Sequence, residues 1–212
     1  MATPMRFRLS KIAITCDGSK AFLQLIISDE VRDATRFLWY KTTYTFNVRL
    51  CIEDEIVIYQ FIRLSFGLTS NPFLLSASIC ELATMYNQTC PTATKQIRNN
   101  IYMDDFVMGT STGTEATILY QEMQQLTSHI SLPLSEWTTN SKILKQIWKQ
   151  ENVLFKNNTQ VLGAKLDIDR DVFKIDVQGK IVRTSKEPVT KRLLLKLISK
   201  FYDPLGIQLH LL

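Results

Sequence analysis

Apolar and polar positions alternate in blocks along this chain, and each block predicts an element. Lys11-Ile12-Ala13-Ile14-Thr15-Cys16 is short and β-branched, and it stops at Asp17, Gly18 and Ser19 as a buried strand stops at a turn. Lys20 to Ile27 contains good helix formers, and Asp29 to Thr35 is a polar connection. Strand-like runs follow at Arg36 to Tyr40, Tyr44 to Ile52 and Ile56 to Arg63, an antiparallel set inserted into the main fold. At Leu64 to Pro72 the pattern changes. Gly67 permits an unusual turn, Ser70 or Asn71 can cap, and Pro72 suits a first helical turn, so a helix is predicted from Pro72 to about Tyr86.

The polar stretch Asn87 to Asn100, with Pro91, reads as loop. Gly113 to Ile130 is predicted as an amphipathic helix through Ala116, Leu119, Met123 and Leu126. Leu132 to Trp137 reads as a strand and Ser141 to Gln150 as a short helix with Lys142, Lys145 and Lys149 on one side. Val161 to Asp167 and Val172 to Val177 form a hairpin around Asp169 and Asp171. Thr190 can cap a basic, leucine-rich helix that runs to Tyr202 and stops at Asp203-Pro204.

One segment departs from this scheme. In Ile101-Tyr102-Met103-Asp104-Asp105-Phe106-Val107-Met108 two adjacent carboxylates interrupt an otherwise hairpin-like apolar run. Asp is depleted from strands, so the pair marks a tight turn, yet such turns lean on Gly or Asn and the next glycine, Gly109, comes only after the apolar run resumes. Neighbouring carboxylates at a hairpin tip repel unless a cation lies between them. Mg²⁺, which takes hard oxygen ligands from one or two carboxylates, water and phosphates, is the natural partner.

Composition narrows the classes. With 212 residues and 45% hydrophobic content the chain suits one domain or one and a half, with ample apolar content for a buried core. The apolar stretches are too short to span a bilayer, and Met1 to Ser10 has Arg6 and Arg8 with no apolar run behind them, so neither a membrane segment nor a signal peptide is expected. Cys16, Cys51, Cys80 and Cys90 lie far apart, which fits a reducing, intracellular setting better than a disulfide frame or zinc site. The net charge of +5 tilts the expected partner toward nucleic acid. His129 and His210 have no catalytic neighbours in sequence.

Taken in order, the segments resemble the palm of a reverse transcriptase. Asp17-Gly18-Ser19-Lys20-Ala21-Phe22 is similar to the first polymerase motif, Leu64 to Pro72 to the second, Tyr102-Met103-Asp104-Asp105 to the third, and Val161-Leu162-Gly163 to the primer-contacting hairpin. More narrowly, Asp33-Ala34-Thr35-Arg36-Phe37-Leu38-Trp39, Phe66 to Leu75 and Phe201-Tyr202-Asp203-Pro204-Leu205-Gly206 resemble the Pao/BEL class of LTR retrotransposons.

The resemblance implies an α+β fold: a palm on a ferredoxin-like antiparallel sheet over residues 1–177, partial fingers at about 28–63, and a thumb or connection beginning in 178–212. It also implies RNA-directed DNA polymerisation with two Mg²⁺ ions, or Mn²⁺, on Asp17, Asp104 and Asp105. Phe22, Phe66, Gly67, Tyr102 and Met103 would line the nucleotide site, and Leu162 and Gly163 would touch the primer. The implied partners are an RNA or DNA template with its primer and deoxynucleotides, the implied location cytoplasmic, with a DNA product bound for the nucleus. Phe22 is equally explained as a core residue. Lys142, Lys145 and Lys149 with Trp148, and Lys191, Arg192, Lys196 and Lys200, are candidate phosphate-tracking stripes or plain solvated faces.

Two departures from the family pattern matter. Ser135-Glu136-Trp137 stands where the family has Lys before Trp, and the segment Asp17-Gly18-Ser19 replaces a more usual Asp-Ile-Glu. Little sequence precedes Asp17, as expected of an excised or decayed piece of a polyprotein. Two rivals therefore stay open: an inactive remnant that binds nucleic acid or a protein partner, and a nucleotide cyclase, which also uses paired carboxylates on a palm-like sheet.

Overall fold

The computed structural model of the chain describes residues 10–44, 50–156, 158–161, 164–167, 172–174 and 190–193. Its centre is a four-stranded antiparallel sheet in the order β4-β5-β1-β6, made of β1 (Ile12–Gly18), β4 (Ile101–Tyr102), β5 (Asp105–Thr110) and β6 (Leu134–Thr139). In β1, Ile14 and Cys16 lie opposite Met108 and Phe106 of β5 and all four are buried, so alternate side chains of adjacent strands form one apolar face.

Helices cover that face. A short α1 (Ala21–Gln24) follows β1, and α2 (Asn71–Met85), α3 (Pro91–Asn100), α4 (Gly113–Ser128) and α5 (Lys142–Gln150) contribute Leu75, Ile79, Ile97, Leu119, Met123 and Leu144 to a single core. The predicted stripe of α4 is buried throughout. Its start is set by Thr112, whose hydroxyl accepts the Glu115 N–H, and α5 starts likewise where Ser141 accepts the Leu144 N–H. Tyr120, Trp137, Trp148 and Phe155 form an aromatic cluster behind β6, with the Tyr120 and Trp137 rings 5.1 Å apart. Trp148 is fully buried there, so it is core and cannot stack on a base beside the α5 lysines.

The fold is thus a mixed α+β arrangement with antiparallel sheets, and several local expectations are corrected. Asn87 to Asn100 is not loop: its last 10 residues are α3, led by Pro91 and capped from another element, since Glu122 of α4 accepts the Ala93 N–H at 2.8 Å. The predicted helix Lys20 to Ile27 ends at Gln24, because the next residues pair across the chain instead. Ile27 donates to the Ile62 carbonyl, Leu64 to that of Leu25, and Ile26 bridges Arg63. Asp29–Thr35 is a 3-10 helix with an Arg32–Asp29 ion pair. The three predicted strands after it are two long ones, β2 (Arg36–Tyr44) and β3 (Leu50–Gln60), which form a separate ribbon. The acidic run Glu53-Asp54-Glu55 does not break β3, for Lys41 reaches across to Glu53 and Glu55 at a register shift.

A three-stranded sheet of β7 (Asn158–Val161), β8 (Ala164–Asp167) and β9 (Val172–Lys174) follows, its β8–β9 pair matching the predicted hairpin. Thr190 caps as expected, accepting the Leu193 N–H, while most of the segment expected to begin a thumb lies outside the described residues, Lys196, Lys200 and Phe201 to Gly206 included. Among the described residues no helix is long and apolar enough to cross a membrane.

Candidate functional site

The third motif is both a tight turn and an acidic corner. Tyr102 pairs with Asp105, which leaves Met103 and Asp104 as a two-residue hairpin loop. Met103 takes φ 57°, the left-handed conformation that glycine or asparagine normally supplies in such loops. That substitution answers the missing glycine.

The same hairpin is stitched to the first motif. Asp17 at the end of β1 is the cross-strand partner of Asp105 at the start of β5, with Cα atoms about 4.5–5.5 Å apart as such pairs are. The Gly18 N–H donates to the Asp104 carbonyl at 2.8 Å. Gly18 is buried here, and a Cβ on it would meet the Leu132 side chain tightly at 3.3 Å while the Asp104 carbonyl oxygen, at 3.5 Å, lies at ordinary contact distance.

Like charges placed opposite one another in a sheet repel. Partial burial, then Asp104, Asp17 and Glu136, push the Asp105 carboxyl up to about 6. Asp17 is also raised, by burial first and then by Asp104 and Glu136, while Lys156 opposes the shift. Cys16, between the two strands' inward faces, has its thiol pushed up by burial and secondarily by Asp17 and Asp105. It is a core residue. As a donor set the corner is all carboxylate oxygen, the chemistry a hard divalent cation takes, and a cation would relieve the repulsion. The donor chemistry suits Mg²⁺, but among the described residues no three His, Cys, Asp or Glu side chains are gathered into a metal-binding group.

Around this corner lie the other predicted residues. Phe22 is 4% exposed and Phe66 72% exposed, their rings 4.7 Å apart, so Phe66 lies over Phe22 and Phe22 is packed in the core. Gly67 has φ 101°, and a Cβ on it would meet nothing within 4 Å, so glycine is needed there for its backbone conformation rather than for a close approach within the chain. Tyr102 and Met103 are solvent-facing at the hairpin tip. Asn71, read as a capping candidate, is buried and donates from its side chain to the Ser65 carbonyl, tying the second motif to α2. Leu162 and Gly163 lie outside the described residues.

One member of the corner had no sequence signal. Lys156 pairs with Glu136 at 2.6 Å, and only the fold brings it to Asp17.

No family model matches the sequence, and no curated protein matches it. Solved structures do. The foamy viral protease-reverse transcriptase dRH in complex with double-stranded DNA aligns with a TM-score of 0.55 and 16% identity over 90% of this chain and 27% of that one. The foamy viral protease-reverse transcriptase in complex with an RNA/DNA hybrid gives 0.55 and 16% over 89% of this chain and 20% of that one. The chain therefore spans about a quarter or less of the proteins it matches, and at this identity what it shares with them is the fold: the architecture described above is similar to that of a retroviral reverse transcriptase.

Proposed function

We propose that this chain is the palm, with partial fingers, of a Pao/BEL-like reverse transcriptase, built on a ferredoxin-like sheet and extending a primer 3′ hydroxyl with deoxynucleotides on a nucleic-acid template. The observation that carries the reading is the joining of Asp17 to the Asp104-Asp105 turn across β1 and β5, residues far apart in sequence that meet at one corner. Asp17 and Asp104 would hold Mg²⁺, or Mn²⁺, with Asp105 beside them. Bound there, the ions would lower the charge on the incoming triphosphate and activate the primer hydroxyl.

The chain's own residues supply the rest. The Gly18 N–H anchors the turn so that Asp104 keeps its place beside Asp17. Tyr102 and Met103 offer an exposed platform next to the carboxylates, and Phe66, resting on Phe22, presents a ring where a sugar or base would stack. Gly67 shapes the turn beside it, and Leu162 and Gly163 would meet the primer end. The net positive charge favours the phosphate backbone.

Primer extension by the 212-residue chain with Mg²⁺, a primed template and deoxynucleotides tests this. Asp104→Asn is expected to lower incorporation by about a hundredfold or more. Undiminished extension would refute the assignment. A second reading, a remnant that binds nucleic acid without chemistry, is favoured by Glu136 adding a further negative charge to a corner where, among the described residues, no three donors are gathered into a metal-binding group. Salt-sensitive binding of a primer-template duplex with no incorporation would select it.

A further inference from the structure

No residue of β2 or β3 is buried, although both strands are rich in Leu, Ile, Tyr and Trp. The two sides of the ribbon differ. On one, Phe37 stacks with Tyr59 and Phe61, and Lys41 answers Glu53 and Glu55. Alternation along the strands puts their even-numbered residues on the other side. There Leu38 stands opposite Ile58 and Tyr40 opposite Ile56, and past the register shift the side continues with Ile52 and Tyr44.

These six residues are between 45% and 74% exposed. An antiparallel ribbon that meets water on one side normally places polar residues there, whereas this side is aliphatic and aromatic along its length. Together the six present on the order of 700 Å² to solvent, more than the roughly 300–600 Å² of the largest apolar patch on an ordinary monomer. Each partner in a stable interface gives up about 600–1,000 Å², so the area suffices for one.

Charge narrows what can cover it. The formal charges on this side are Arg36 at the base and Asp54 between Ile52 and Ile56, one of each sign, and Asp54 has no ion pair among the described residues. A phosphate backbone requires a run of cations, and an anionic lipid surface is opposed by Glu53-Asp54-Glu55. A second copy of the same side meets neither obstacle. It is equally apolar, and a two-fold axis that reverses the strands lays the Arg36 end of one copy over the half of the other that carries Asp54.

We infer that this side of the β2–β3 ribbon is a self-complementary docking face, through which two copies of the chain pair sheet on sheet about a two-fold axis. Each ribbon supplies the other with the covered face that it lacks within its own chain. The pairing is independent of the nucleotidyl-transfer reading. In dilute monomer the face is open, so substitutions on it act on association and leave folding almost unchanged.

Sedimentation equilibrium of the full chain from about 1 to 200 μM is expected to show monomer passing to dimer, with a dissociation constant on the order of 10 μM. Ile56→Glu should weaken association by about thirtyfold or more, and Trp39→Glu, on the opposite side of the ribbon, by less than about threefold. Ile56→Lys should also be monomeric alone but should associate when mixed with Ile56→Glu, a rescue that requires both variants to be folded. Monomer throughout the range overturns the inference. So do equal losses from Ile56→Glu and Trp39→Glu, or a mixture that stays monomeric. A monomer that floats with phosphatidylcholine vesicles, and ceases to in Ile56→Glu, gives the face to a lipid surface and overturns the dimer.

Discussion

The four-stranded sheet and the β2–β3 ribbon are made of the same kinds of residue and end in opposite conditions. In the sheet, Ile14, Phe106 and Met108 vanish into a core shared with five helices. In the ribbon, Leu38 pairs with Ile58 and Tyr40 with Ile56, equally apolar partners, yet Leu38 and Ile58 remain 67% and 66% exposed. Among the described residues the ribbon's contacts are the stacked rings of Phe37 with Tyr59 and Phe61, the Lys41 ion pairs, and, at its base, Thr35 bonded to the Phe61 backbone. Two strands without a covered face are marginal on their own. Apolar composition therefore does not decide where stability resides; what packs against it does. The sheet, backed by that core, sets Asp17 opposite Asp105, whereas the ribbon's acidic run is balanced by Lys41.

The largest expected difference between the regions is in packing. Phe106→Ala should cost about 3–5 kcal/mol in urea unfolding, whereas Ile58→Ala should cost less than about 1 kcal/mol. Amide exchange should be faster in β2 and β3 than in β1 and β5. Comparable losses at the two positions would erase the contrast.

Next comes the stored repulsion. Asp105 is raised in the folded chain to about 6 from an ordinary value of 3.8, first by burial and then by Asp104, Asp17 and Glu136. Between those values the folded state holds a proton that the unfolded state has released, so unfolding free energy falls as pH rises and the full penalty stands above about pH 6. With screening at this partly exposed site the penalty is about 1–2 kcal/mol. In chelator, Asp105→Asn should raise stability at pH 7.5 by that amount and remove most of the slope between pH 4 and 6, with urea midpoints across the range as the measure. An unchanged slope would locate the repulsion elsewhere.

The smallest effect is at the turn. Met103→Asn should relieve the left-handed strain and stabilise the chain by about 0.5–1 kcal/mol, seen as a higher urea midpoint. No gain would mean that the methionine side chain offsets its backbone cost.

Legibility followed the source of each element's stability. α4 was readable because its apolar period is strong and all of Ala116, Leu119, Met123 and Leu126 are buried as the period implies. α3 was not, since Thr92-Ala93-Thr94-Lys95-Gln96 is polar and its cap arrives from Glu122 in another helix. The residues after Gln24 have helical composition but are claimed by pairing with the segment at Ile62 to Leu64, which no local pattern announces. At the candidate site, Asp17, Asp104 and Asp105 stood out because carboxylates interrupt or end apolar runs. Glu136 was visible only as a reversed charge. Its bulge depends on the register of two strands far apart in sequence, and Lys156 reaches the corner through a backbone bond to Trp137.

Past Phe106, β5 has no neighbouring strand on its β4 side among the described residues, for β4 begins only at Ile101 and the residues before it are α3. The carboxamide of Gln96 stands in that gap, donating to the Gly109 carbonyl at 2.7 Å and accepting the Gly109 N–H at 3.5 Å, with Asn100 bonded behind it. An open strand border is a template on which a second polypeptide can grow toward fibrils. With the strand buried beneath α3, the Gln96 carboxamide satisfies the Gly109 backbone that no strand reaches, and loss of Gln96 would leave an unpaired carbonyl inside the border rather than at an open edge.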